Sequence, residues 1–196
     1  EVDWCERQAL LKAAFPVTIY SRSAAYDIQF GSIDRPTHWN TSWDWARFEV
    51  FGHKWADLSE SGYGVSLLND CKYGWDIRDN VMRLTLLRGP IHPDPESDLG
   101  PHHFTYSLLP HLGGWQDGGT VRAAYELNVP PQFALTSGGK QLPAEFALLS
   151  TSAENIVIET FKAAEDGRGF VARMYEAAGR RGAVQLELGL RCASIE

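Results

Sequence analysis

Eight carboxylates lie between Asp34 and Asp79: Asp34, Asp44, Glu49, Asp57, Glu60, Asp70, Asp76 and Asp79. Interleaved with them, in the stretch from Arg35 to Asp76, are five of the chain's seven Trp: Trp39, Trp43, Trp45, Trp55 and Trp75. Trp4 and Trp115 stand apart. Flat aromatic faces beside hydrogen-bonding side chains suit sugars, whose C–H faces are apolar and whose hydroxyl edges are polar. Paired carboxyl groups suit cleavage of a glycosidic bond, which in a retaining enzyme takes two of them about 5 Å apart. Both patterns also have plainer explanations. Buried Trp fill β cores, and the surfaces of strands and loops carry acids in any globular protein.

Asp70 is the most pointed of these acids. It follows the apolar run Val65 to Leu68 and opens Asp70-Cys71-Lys72-Tyr73-Gly74. A side chain at the end of a strand is held by the sheet yet open to a ligand. The alternative is an ordinary turn, since Asn-Asp followed by Gly is turn chemistry. The six His (His38, His53, His92, His102, His103, His111) show neither a helical i, i+4 pair with Glu nor a paired Cys, so no internal metal site is expected. Cys5, Cys71 and Cys192 are too few and too far apart for a disulfide framework. Free, mostly buried thiols in a reducing compartment are expected, hence a cytoplasmic protein. Asn40-Thr41-Ser42 fits the N-glycosylation pattern. Gly113-Gly114 and Gly118-Gly119 lack the order of a phosphate loop, and there is no Gly-x-Ser-x-Gly elbow.

The elements that must position these residues read as strands. Val17-Ile19, Tyr26-Ile28-Phe30 and Phe48-Val50 alternate with polar neighbours. Val65 to Leu68, Val81 to Leu87, Phe104 to Leu108, Phe146 to Leu149, Ile156 to Phe161, Phe170 to Tyr175 and Val184 to Leu190 continue the pattern. Short β-branched and aromatic runs between Gly, Asp, Asn and Pro predict an all-β, antiparallel sandwich. Within the Trp-rich stretch, strand parity puts Trp43 and Trp45 on one face and Asp44 on the other. One short helix is expected near 116–128. There Val121, Ala124, Tyr125 and Asn128 fall at i, i+3, i+4 and i+7, Thr120 can cap, and Pro130 stops the helix. Glu6 to Ala14 fits helix or strand. Gly89 to Gly100 and Pro130 to Pro143, the latter with Gly138-Gly139 at its centre, read as loops. No linker divides two cores, so a single domain over 1–196 is expected.

The 196 residues carry a hydrophobic fraction of 44% and a formal net charge of −7, which speak for a globular protein and against nucleic-acid binding. No apolar run reaches the roughly 18 residues of a membrane helix, and no signal peptide is visible. The opening Glu1-Val2-Asp3-Trp4 already alternates like a strand, so the chain is expected to begin within a fold.

Longer strings carry a resemblance. EVDW (Glu1 to Trp4), LLKAAFPV (Leu10 to Val17), YDIQFG (Tyr26 to Gly31), RPTHWNTSWDWARFEV (Arg35 to Val50), HKWADLSESGYGVSLLNDCKYGWD (His53 to Asp76) and LTLLRGP (Leu84 to Pro90) resemble the C-terminal β region of family 38 α-mannosidases. AAYELNVP (Ala123 to Pro130) and KAAEDGRGFVARMYEAAGRRG (Lys162 to Gly182) fit the same family. The resemblance implies an antiparallel β super-sandwich of the galactose mutarotase-like kind. It implies retaining exo-α-mannosidases whose zinc, nucleophile and acid/base group sit in an N-terminal catalytic barrel. None of those motifs occurs in this chain, so no catalytic residue and no cofactor is expected in it, with zinc expected in the barrel. Its implied partners are that barrel, an α-mannoside in the intact enzyme, and a second copy of itself. In the family a loop of the β region reaches toward the sugar, and by resemblance it corresponds to Asn69 to Gly74. Asp70, Lys72 and Tyr73 are thereby expected to line the rim of the pocket, although some relatives carry a basic pair where this chain has Asp70-Cys71-Lys72. The alternative is a free-standing carbohydrate-binding module with the five clustered Trp as its platform. A third reading is a purely structural sandwich.

Overall fold

The computed structural model describes residues 1–135, 143, 145–189, 191–192 and 194–195. They form two compact units, Glu1–Pro130 and Pro131–Glu196. The boundary falls at the start of the expected Pro130 to Pro143 loop. Gly138-Gly139 and the end of the expected Val184 to Leu190 strand lie outside the described residues.

The first unit runs β1 (Val2–Trp4), β2 (Leu11–Pro16), β3 (Ser23–Ile28), β4 (Gly31–Pro36), α1 (Ser42–Ala46), β5 (Val50–Phe51), β6 (Trp55–Glu60), β7 (Tyr63–Asn69), β8 (Gly74–Arg78), β9 (Val81–Leu87), β10 (Gly100–His102), β11 (Tyr106–Leu112) and α2 (Thr120–Asn128). All strand pairs are antiparallel. One sheet has the order β11-β7-β6-β3-β4, the other β2-β9-β8-β5, and β1 pairs with β10. The expected antiparallel sandwich is what forms.

Period-two alternation explains it. Ala24 and Tyr26 of β3, Ala56 and Leu58 of β6, and Val65 and Leu67 of β7 turn one face of the five-stranded sheet inward. There they meet Trp75 and Ile77 of β8 and Met82, Leu84 and Leu86 of β9 from the other sheet. The intervening residues face the opposite way. Ala25, Trp55 and Leu68 form a second core with Trp115, which precedes α2, and with Ala124 of α2. Burial of each large side chain contributes roughly 1.5–3 kcal/mol, so β6 and β7, with buried residues on both faces, anchor the unit.

The structure corrects several expectations. Residues 17–20 are not a strand: the β2–β9 ladder ends at Pro16, and Asn80 clamps Val17 through both its carbonyl and its side-chain amide. Ile19 is buried without being in a strand. Glu6 to Ala14 resolves into a strand from Leu11. The strand expected at Phe104 to Leu108 runs from Tyr106 to Leu112, and Pro110 is tolerated because β11 is an edge strand. Residues 42–46 form a helix, so strand parity does not apply to Trp43 and Trp45. Thr41 and Asp44 cap this helix reciprocally. The second helix starts at Thr120 rather than 116, and its N-cap is Gly119 in the left-handed region (φ 71°), not Thr120. The three thiols are free, as expected, but exposed rather than buried.

The second unit contains β12 (Leu149–Thr151), β13 (Ile156–Ala163), β14 (Phe170–Glu176) and β15 (Leu186–Leu188). β13 pairs with β14 and β12 with β15, both antiparallel. None of its described residues is fully buried.

Candidate functional site

The connection between β7 and β8, residues 70–73, carries the three expected site residues. It is built on Asn69, which is 2% exposed. The Asn69 amide donates to the His53 carbonyl (2.8 Å), and its Oδ1 accepts from the backbone N–H of Cys71 (3.1 Å) and Lys72 (2.5 Å). The Asn128 side chain of α2 donates to the Asn69 carbonyl (3.0 Å). A buried amide satisfied at both ends fixes the loop without a regular element.

Asp70 and Lys72 both engage the segment before β11. Asp70 N–H donates to the Thr105 carbonyl (3.2 Å), and Thr105 N–H donates back to Asp70 Oδ2 (3.0 Å). Partial burial of the Asp70 carboxyl favours its neutral form. Hydrogen bonds from the Cys71 thiol and Thr105 outweigh this and hold it below the usual carboxylate range. The Cys71 thiol is pushed up to about 11 by burial, by its hydrogen bond to Asp70 and by the Asp70 charge, so it is not an activated nucleophile. Lys72 Nζ sits 4.7 Å over the Phe104 ring. Tyr73 goes elsewhere. Its exposed ring meets His53 edge-on (5.5 Å, 75°), and His53 meets Phe51 likewise (6.4 Å, 79°). The loop thus sets Asp70 against Thr105 and Lys72 against Phe104, and places Tyr73 in the lining of an open cleft of about 770 Å³.

Most of the other acids are engaged by groups of the chain itself. Glu49 accepts from Thr85 Oγ1 (2.5 Å) and pairs with Lys12 (3.3 Å), which also lies 3.5 Å from Asp76. Glu60 accepts from Tyr20 N–H (2.8 Å), Asp44 caps α1, and Asp79 sits in the β8–β9 turn with φ 53°. Nor do the five clustered Trp make a platform. Trp55 and Trp75 are core residues, and Trp39 lies under the Arg78 guanidinium (4.0 Å). Trp43 (78% exposed) and Trp45 (65%) are two apart on a helix, where side chains diverge.

Sequence reasoning missed a buried polar cluster on the second face of the large sheet. Ser66 Oγ donates to Asp57 Oδ2 (2.7 Å), and Ser59 Oγ donates to Asp57 Oδ1. His111 Nε2 lies 2.8 Å from Asp57 Oδ2 and 3.1 Å from Ser66 Oγ, and Thr120 Oγ1 lies 2.7 Å from Ser66 Oγ. A carboxylate only accepts, so His111 carries its proton on Nε2 and the Thr120 hydroxyl donates to Ser66. A Cβ at Gly64 or Gly118 would collide with the His111 ring. The residue types are those of a serine hydrolase, but Asp57 and Ser66 share one ring nitrogen and Ser66 is 0% exposed. The cluster therefore ties β6, β7, β11 and α2 together and does not meet a substrate. A signal for it was present: Asp57 and Ser66 occupy the same alternating face as Trp55 and Leu68. Among the described residues no three His, Cys, Asp or Glu gather as a metal would require, so zinc does not fit this part.

These features define a class first: an antiparallel β-sandwich region that presents a positioned loop and an open cleft, with its own acid–base cluster sealed inside. The model of the glycosyl hydrolases family 38 C-terminal domain matches residues 1–96, and that of the family 38 C-terminal beta sandwich domain matches residues 155–196. The chain belongs to glycosyl hydrolase family 38, of whose C-terminal region it is a part. It is 48% identical over 193 residues to alpha-mannosidase 2C1 of Homo sapiens, covering 97% of this chain and 18% of that protein. It is 47% identical over 183 residues to alpha-mannosidase G of Dictyostelium discoideum (91% and 17%). The chain thus spans less than a fifth of the length of these curated relatives. In fold it is similar to an alpha-mannosidase from Enterococcus faecalis V583, with a TM-score of 0.80 at 17% identity, covering 91% of this chain and 21% of that one. Among the described residues no helix is long and apolar enough to cross a membrane.

Proposed function

We propose that this chain is the accessory C-terminal part of a retaining, zinc-dependent enzyme that hydrolyses terminal α-mannosides in the cytoplasm. Zinc, nucleophile and acid/base group belong, in this reading, to a catalytic barrel on polypeptide outside these 196 residues. The chain's work is to support that barrel and to supply one wall of the sugar pocket. Within the proposal residues 1–196 serve as one C-terminal region, made of two compact units.

The observation that carries the wall is the loop at 70–73. Asn69 and the Asp70–Thr105 exchange fix its backbone, while Asp70 stays exposed and ionised and Tyr73 stands open. A fixed carboxylate can accept from sugar hydroxyls, an ammonium can donate to them, and an aromatic ring can meet a sugar's C–H face. Three exposed thiols without disulfides support a reducing compartment.

The test uses the complete gene product that contains this chain. Asp70→Ala, Lys72→Ala and Tyr73→Ala are assayed on an aryl α-mannoside, with unfolding followed in parallel. A raised KM or lowered kcat is expected for Asp70→Ala, with stability lowered by less than about 1 kcal/mol. Unchanged kinetics in all three removes the loop from the pocket.

A further inference from the structure

We propose that Asn128, the last residue of α2, is a positioning residue for the sugar pocket, aiming the Asp70 carboxylate through the peptide unit that joins Asn69 to Asp70. The inference rests on the functional reading above, in which the loop at 70–73 forms one wall of that pocket. A peptide unit is planar, so its C=O and its N–H turn together as one rigid body. Here both ends of that body are held. Asn128 Nδ2 donates to the Asn69 carbonyl (3.0 Å), and the Asp70 N–H of the same unit donates to the Thr105 carbonyl (3.2 Å). The β7–β11 ladder ends at Asn69, opposite Tyr106, so these two bonds set the direction of the chain as it leaves the sheet. With the peptide unit fixed, the direction in which the Asp70 side chain leaves the backbone is fixed as well. Its Oδ2 accepts from Thr105 N–H (3.0 Å).

Asn128 is suited to be the anchor because it is tied down itself. The same Nδ2 donates to the Ala124 carbonyl of its own helix (2.8 Å), so both N–H groups of the amide are committed. Ala124 is 0% exposed and packs with Trp55 and Leu68, which holds α2 to the sheet. At the other end of the helix, Thr120 Oγ1 lies 2.7 Å from Ser66 Oγ. α2 therefore meets β7 twice, through Thr120 at Ser66 and through Asn128 at Asn69. Only the second contact touches the peptide unit that carries Asp70.

The test is a double-mutant cycle in the complete gene product, read as kcat and KM for an aryl α-mannoside, with urea unfolding in parallel. Asn128→Ala is expected to lower kcat/KM at least about threefold, through the same parameter that Asp70→Ala changes. Asn128→Ala combined with Asp70→Ala is expected to match Asp70→Ala alone, because the anchor acts through that carboxylate. Thr120→Val, which cuts the other tie, is expected to lower the urea midpoint while kcat/KM stays within about twofold of the unmodified value. The Asp70 amide is expected to exchange faster with solvent in Asn128→Ala than in Thr120→Val. Four results overturn the proposal: unchanged kcat/KM in Asn128→Ala while Asp70→Ala lowers it, losses that multiply in the double variant, an equal loss in Thr120→Val, or an Asp70 amide that exchanges no faster in Asn128→Ala. Should Asn128→Ala fail to fold, Asn128→Asp, which keeps the volume and loses the donor, takes its place in the cycle. Unchanged kinetics in Asp70→Ala itself would remove the functional reading of the loop, and this inference with it.

Discussion

Glu1–Pro130 and Pro131–Glu196 are made from the same kind of strand, yet only the first hides its apolar residues. Every buried residue among those described lies in the first unit, most of the apolar ones in cores on both faces of the five-stranded sheet. The second has the long β13–β14 ladder and a stacked Phe161–Phe170 pair (5.2 Å, 12°), but its large apolar side chains remain part-exposed or exposed. A ladder of hydrogen bonds sets register. It adds little net stability, because the unfolded chain bonds water equally well. Two-stranded sheets are marginal by themselves. The comparison teaches that stability in this chain follows burial, not strand content.

Cutting the chain at the boundary should show this most strongly. Residues 1–130 alone are expected to unfold cooperatively in urea, and residues 131–196 alone to show no cooperative transition by circular dichroism. A sharp transition in the smaller piece would break the comparison. Single substitutions sharpen it. Trp55→Ala in the first unit should cost about 3–5 kcal/mol, whereas Leu188→Ala in the second should stay within about 0.5 kcal/mol, both read from urea midpoints.

The buried cluster gives the next effect. Asp57→Ala leaves His111 and Ser66 without their acceptor and should cost about 3 kcal/mol. Asp57→Asn keeps the volume and one acceptor and should cost less. Equal stability of Asp57→Ala and the unmodified chain would show the cluster to be idle.

Asp70 gives a small effect, and the one that depends on pH. Its carboxyl titrates below the ordinary value in the folded chain. A depressed group contributes stability above the unfolded value of about 4, and loses it as pH falls through the folded value. Because the group is exposed, Asp70→Asn should cost less than about 1 kcal/mol at neutral pH. The difference from the unmodified chain should shrink as pH falls below about 4. A difference that grows with acid would contradict the hydrogen-bond account.

The sandwich was legible because period-two alternation on strands such as β8 and β9 is set by which face is buried. The loop at Asn69 was legible because a strand visibly ends there. What failed did so for local or long-range reasons. Thr41-Ser42-Trp43-Asp44 is a capping box, and that box overrides the strand-like alternation of Trp43 and Trp45. Thr120 has the type of an N-cap, but its hydroxyl is taken by Ser66, 54 residues earlier. His111 meets Asp57 across a similar separation. Such partners are chosen by the register of β6, β7 and β11, which no local pattern of residues announces.

The most direct measurement is hydrolysis of an aryl α-mannoside by the 196-residue chain, with and without added zinc, beside the complete gene product. The account predicts turnover by the complete product and none by the chain. Zinc-dependent turnover by the chain alone would contradict it.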